Sequence, residues 1–219
     1  MKNKLLLVGL LIVSFISCKS ESVWEEFEDP VFITYLNDNY NVPITDKGRI
    51  DMDDDATQRA LGNIMSLHLD GKQISNLSGI NNIVSLDYLS CNNLHLTSLD
   101  VSRLRHLKVL KCSYNEINSL KTDECKDLYL LLCDNNKLTT LDIKNHVNLR
   151  NLHCNSNRLK TLEAQYCINL ESFVCGNQTD DKGASRTLTL MLSPKSYSYW
   201  EQGYKNHNEN QHVTAHLKE

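Results

Sequence analysis

The chain has 219 residues and carries 23 Lys and Arg against 27 Asp and Glu, a formal charge of -4. That length allows one large domain or two small ones. An acidic chain without a basic stripe excludes nucleic acid as the expected partner, and three prolines with eight glycines exclude low-complexity and collagen-like classes. The opening segment, "MKNKLLLVGLLIVSFISCKS", has a basic start at Lys2 and Lys4 and a twelve-residue apolar run from Leu5 to Ile16. Spanning a bilayer takes about 20 apolar residues. The shorter run reads as an export signal over 1–17.

The run ends on Phe15-Ile16-Ser17-Cys18, a small residue before a cysteine where polar sequence begins. This resembles the lipobox of bacterial lipoproteins, whose cysteine becomes the lipidated N-terminus. The resemblance implies lipidation of Cys18, an acidic tether over 18–25, and membrane contact through the anchor only. The stretch "KSESVWEEFEDP" loosely resembles acidic export tags of outer-membrane surface lipoproteins. Its implication is a lipid-anchored protein on the cell surface.

The next segment, "EEFEDPVFITYLNDNY", places Phe27, Val31, Tyr35 and Leu36 at helical spacing and predicts a capping helix. A loop follows at 43–54, "PITDKGRIDMDD". Gly48 in its sixth place and Ile50 in its eighth resemble an EF-hand-like loop. Pro43, Lys47 and Asp54 stand where ligands are wanted, and calcium affinity depends on ligand charge and count. The loop reads as degenerate, and Asp51, Asp53, Asp54 and Asp55 as a solvated helix start. Residues 26–63 form the expected N-terminal helical cap.

From 64 to 185 the chain repeats itself. Cys91, Cys112, Cys133, Cys154 and Cys175 are each 21 residues apart, as are Leu86, Leu107, Leu128, Leu149 and Leu170. Leu89, Leu110, Leu131, Leu152 and Phe173 keep the same period, as do Asn115, Asn136, Asn157 and Gln178, with Leu94 in the first copy. An upstream copy with Ile64, Leu67, Leu69, Ile74 and Leu77 precedes them by 22 residues. One such unit cannot bury its own apolar face, so neighbours must stack into a continuous core. Alternation in L-x-C puts Leu and Cys on the inner face of a short strand. The asparagine ladder would satisfy backbone groups at the bend after each strand. A second alternation, "LTSLDV" and "LTTLDI", predicts an extended return path with little room for a helix.

The shared pattern L-x-x-L-x-C-x-x-N-x-L-x-x-L resembles bacterial surface leucine-rich-repeat lipoproteins. Its repeats are internalin-like, in a cysteine-containing 21-residue variant. That resemblance implies a leucine-rich-repeat solenoid with parallel β-strands on a concave face, an extended or 3-10 convex side, a small helical N-terminal cap and a β/α C-terminal cap over 186–219. "CGNQTDDKGASRTLTLML" resembles the closing segment of the same proteins. Thr187, Thr189 and Met191 alternate with Leu188, Leu190 and Leu192, which predicts a strand. "SPKSYSYWEQGY" predicts a short helix with Trp200 over the last repeat, "HVTAHL" a final strand, and Tyr197, Tyr199 and Tyr204 belong with the cap core.

The period also decides the chemistry. Adjacent strand residues face opposite ways, so His153 and Cys154 cannot form a nucleophile–base pair. Ladder cysteines have parallel side-chain vectors, which suit a disulfide poorly, and are expected to be buried thiols. Cys125, His146 and Cys167 share a column with Leu104, which marks it as packed; no fourth ligand or C-x-x-C accompanies it, so no metal is expected. No paired carboxylates, nucleophile elbow or phosphate loop occurs, so no catalytic residue, enzyme activity or cofactor is expected.

The outward columns are Tyr88, Val109, Leu130 and Asn151; Ser90, Lys111, Leu132, His153 and Val174; and Asn92, Ser113, Asp134 and Asn155. Val109, Leu130 and Leu132 are apolar where solvent is expected. With Tyr88, Lys111, Tyr114, Tyr129 and His153 they form the expected ligand-binding face. The function this implies is protein–protein interaction, in adhesion, by a monomer with an unknown protein ligand. The alternative is glycan binding or an accessory role in polysaccharide uptake, against which Trp24 and Trp200 lie outside the repeats.

Overall fold

A computed structural model describes residues 26–204, 210 and 212–218. The leader, Cys18 and the tether lie outside the described residues, as does the side chain of Tyr204.

Helix α1 spans Pro30–Tyr40. Asp29 caps it, accepting from the Val31 and Phe32 amides, and proline fits the first turn, where its missing N–H costs nothing. The helix ends at Asn41 in the left-handed conformation. Its buried stripe is Phe32, Ile33 and Leu36, whereas Val31 is exposed. The spacing of apolar residues had pointed to Val31. Asp29 pulls the first turn against the repeats, and this turns Phe32 and Ile33 inward instead. Phe27, just before the helix, packs on Gly79: a Cβ there would lie 2.6 Å from the Phe27 ring, and φ is +85°. Only glycine meets both conditions.

In the 43–54 loop, Gly48 donates to the Thr45 carbonyl and the Asp53 amide to the Asp51 carboxylate. Asp54 is the N-cap of helix α2 (Asp55–Gly62), so its carboxylate is spent on Thr57.

The repeats then run in chain order. They are β1 (Ser66–His68), β2 (Tyr88–Ser90), β3 (Ser98–Asp100), β4 (Val109–Lys111), β5 (Ser119–Lys121), β6 (Leu130–Leu132), β7 (Asn151–His153), β8 (Thr161–Glu163) and β9 (Ser172–Val174). After them come β10 (Gln178–Thr179), β11 (Ser185–Arg186), β12 (Leu188–Leu192), helix α3 (Pro194–Tyr199) and β13 (Val213–Leu217). Strands β1-β2-β4-β6-β7-β9 form one parallel sheet with unbroken register, Leu67↔Leu89↔Leu110↔Leu131↔Leu152↔Phe173. The molecule is a repeating parallel-β solenoid with short helical caps. Its return path is more strand-like than expected: β3 pairs with β5 in parallel, and β8 joins β12 and β13 of the C-terminal segment in a further parallel sheet. The described residues include a 3-10 turn at Ile80–Asn82.

Both ends of the long sheet are closed by side chains. Tyr40 Oη donates to the Ser66 carbonyl at 2.7 Å and Tyr35 Oη to that of His68 at 3.2 Å. At the far end Trp200 stacks on Phe173, ring centroids 5.6 Å apart, and Asn210 accepts from the Cys175 amide. Closure of this kind protects unpaired strand edges.

Candidate functional site

The inner columns supply rigidity. Cys91, Cys112, Cys133, Cys154 and Cys175 are free and have no exposure. Burial pushes the Cys112 and Cys175 thiols up to about 12 and holds Cys91, Cys133 and Cys154 well above the ordinary thiol value. They are space-filling thiols, not nucleophiles. Below them the amide ladder does what the bend requires. Asn136 Nδ2 donates to the carbonyls of Cys112, Cys133 and Asp134, while its Oδ1 accepts from the Ile117 amide. Asn115, Asn157 and Gln178 repeat the pattern. One residue earlier, Asn93, Tyr114, Asn135, Ser156 and Asn177 all have φ between 52° and 57°.

The second inward column is packed as its register requires. Cys125 Sγ donates to the Val101 carbonyl and Cys167 Sγ to that of Ile143. His146, 1% exposed, meets Thr122 Oγ1 at 2.8 Å through Nε2, and its Nδ1 has no hydrogen-bond partner. Burial holds the imidazole below its ordinary value of 6.5, opposed by the Asp142 carboxylate, the Asn145 backbone and the Asp123 carboxylate. The unfolded chain therefore binds this proton at a higher pH than the folded one. Stability is expected to fall as pH drops below about 6.5 and to level off below the folded value. His146→Leu should remove that slope, because the same column already holds Leu104. Urea melts of both proteins at about pH 7.5 and about pH 5.5 check it, and equal slopes would contradict it.

The outward face of the long sheet is what remains for a ligand. Tyr88, Lys111, Leu130, Leu132 and His153 are half-buried, Tyr114 is 60% exposed and Tyr129 is 40% exposed. Val109 departs from expectation at 7% exposed, because register sets the larger Tyr88 and Leu130 on either side of it. Val174 and Ser90 are buried as well. Tyr88 lies 4.8 Å from the His68 ring, and Lys111 Nζ sits 5.4 Å from the Tyr88 centroid. Tyr114 stands apart from the strand residues, at the left-handed turn.

The third outward column is not free surface. Asp70 accepts from Ser90 Oγ and the Asn92 amide, Asn92 Oδ1 from the Ser113 amide, and Asp134 Oδ1 from the Asn155 amide. It is a polar ladder along the rim, each side chain holding the next turn's backbone. Burial raises the Asp134 carboxyl, against the pull of His153.

Among the described residues no group of three or more His, Cys, Asp or Glu is placed to hold a metal ion. Thr122 and His146 are both buried. No described helix is long and apolar enough to cross a membrane.

Over 62% of its length the chain matches the functional domain of InlJ from Listeria monocytogenes, described as including a cysteine ladder, at 29% identity and a TM-score of 0.53. The match spans 31% of that chain, so it covers about a third of that structure. The internalin inlF from the same organism matches at 16% identity over 88% of this chain and 69% of that one, with a TM-score of 0.39. No protein-family model matches the chain, and no curated protein does. The chain is distantly similar to an internalin-type surface protein.

Proposed function

We propose that the chain is a leucine-rich-repeat surface lipoprotein, anchored through Cys18, that binds another protein on its six-stranded face, in adhesion, as a monomer. One observation carries the binding site. Leu130 and Leu132 stand half-exposed, with half-buried Lys111 and His153 on either side of Leu132 and Tyr88 one strand beyond Val109, on a sheet whose inner side is fixed by the cysteine and asparagine ladders. Aliphatic groups held rigidly beside aromatic and charged ones give a partner desolvated area at little ordering cost. The similarity to an internalin-type protein supports the same reading.

The test is a Leu130→Asp/Leu132→Asp double variant in a pull-down with residues 26–219. Both side chains point off the sheet, so thermal melting should change little. Loss of the captured protein is the expected result, and undiminished capture would reject this face. For the anchor, Cys18→Ser should move the chain from the membrane fraction to the soluble fraction; continued membrane retention would remove the lipid.

A further inference from the structure

Side chains close both ends of the long sheet, but the sheet of β8, β12 and β13 ends on an open strand. Its order is β13-β12-β8, with β13 outermost. Two bonds fix which way the backbone of β13 faces. The Leu188 amide donates to the His212 carbonyl, and the Lys218 amide to the Leu192 carbonyl, both at 2.9 Å. Leu188 stands opposite Val213 and Leu192 opposite Leu217. In a parallel pair with this register, the N–H and C=O groups of Thr214 and His216 point to β12. Those of Val213, Ala215 and Leu217 point away from the sheet. Among the described residues nothing bonds to them.

Natural sheets blunt such edges with lysine, proline, a bulge or a covering element. The strand VTAHL contains neither lysine nor proline, and its register with β12 is unbroken. Its side chains are sorted by face. Val213 and Ala215 pack against the core, and Leu217 follows them on that side at 48% exposed. Thr214 and His216 are exposed on the other side. No Asp, Glu, Lys or Arg lies within the strand, so no fixed charge opposes an arriving one.

We infer that β13 takes up an extended segment of a partner protein as a further strand. Three outward N–H and three outward C=O groups recur at the two-residue period of a strand, which a polypeptide backbone matches and a glycan does not. Apolar residues of the segment would continue the row of Val213, Ala215 and Leu217 and cover Leu217. Its polar residues would lie beside Thr214 and His216. The size of the edge favours a partner segment over a second copy. Five residues span about 17 Å. Two such edges fall short of the roughly 1,000 Å² that a stable dimer buries. A short segment needs less area, because its main-chain hydrogen bonds carry the affinity. Strand β13 belongs to a different sheet from Leu130 and Leu132, so this contact is separate from the binding face.

A random peptide library displayed on phage and selected on the whole chain supplies the probes. Ala215→Pro removes one outward N–H and none of the bonds to β12, and an edge strand tolerates proline in that orientation. The variant should melt as the parent does. Enriched peptides should alternate apolar and polar residues and bind the parent at least about tenfold more tightly than Ala215→Pro. Their affinity for Leu130→Asp/Leu132→Asp should be unchanged. N-methylation of the peptide gives a readout that does not depend on how the variant folds. Methyl groups at one set of alternate amides should abolish binding, and those at the other set should not. Bound peptide should also slow hydrogen exchange at the Val213, Ala215 and Leu217 amides. Peptides that ignore Ala215→Pro but lose binding to Leu130→Asp/Leu132→Asp would sink the edge and support the face. Peptides that tolerate methylation throughout, or no enrichment at all, would also overturn the edge. Self-association of the parent in sedimentation, lost in Ala215→Pro, would put a second copy on β13 and overturn the partner segment.

Discussion

Asn136→Ala should lower the unfolding free energy by about 3–5 kcal/mol, more than an ordinary core truncation of that size. The side chain is 7% exposed and lies between two turns of the solenoid. Its oxygen holds the Ile117 amide, and its nitrogen serves carbonyls of its own turn and of the turn before. Alanine leaves those groups without their protein partners. A hydrogen bond contributes about 1 kcal/mol net, but a buried group stripped of its partner costs about 1–3 kcal/mol. At least two such groups are stripped here. Asn136→Leu should be nearly as harmful although it refills the volume, which separates lost hydrogen bonding from lost packing. The check is a guanidinium melt of each variant, with the midpoint as the readout. A loss under about 1 kcal/mol for Asn136→Leu would mean the ladder contributes mainly by filling space.

The ladder was legible because its signal is a period. Five cysteines and three asparagines at a spacing of 21 fix which side chains share a column, and a column in a parallel stack has one environment. Trp200 over the last repeat followed from the same logic, since a stack must be closed. Features set by lateral neighbours were harder. Val109 reads as exposed from alternation alone, yet the sizes of Tyr88 and Leu130 decide its burial. Asn92, Ser113, Asp134 and Asn155 alternate as surface residues do, but their short polar side chains reach the next backbone amide and become structure. Val31 fits the helical spacing, and the Asp29 cap overrules it.

Asp29→Ala should cost about 3–5 kcal/mol and loosen the N-terminal cap as a unit. One carboxylate performs two tasks. Oδ1 accepts from the Val31 and Phe32 amides and so starts helix α1. Oδ2 accepts from the Ser75 amide and hydroxyl and from the Asn76 amide, tying that helix to the first repeat. A lost N-cap alone costs about 1–2 kcal/mol, and the bonds to Ser75 and Asn76 are charge-assisted and thus stronger than average. Asp29→Asn is the sharper test. It keeps one accepting oxygen but turns an NH2 group toward three donors or toward the helix start, so it should lose most of the same stability. Burial works to raise the Asp29 carboxyl, but the bonds from Ser75, Phe32 and Val31 outweigh it and hold it below its ordinary value. Its contribution is therefore complete above about pH 4 and fades as pH falls through the lowered folded value, so parent and variant should converge in strong acid. Hydrogen exchange locates the damage: amides of α1 should lose protection first in Asp29→Ala, while those of β6 and β7 hold theirs. Uniform loss along the solenoid would instead mean that the cap and repeats unfold as one cooperative unit.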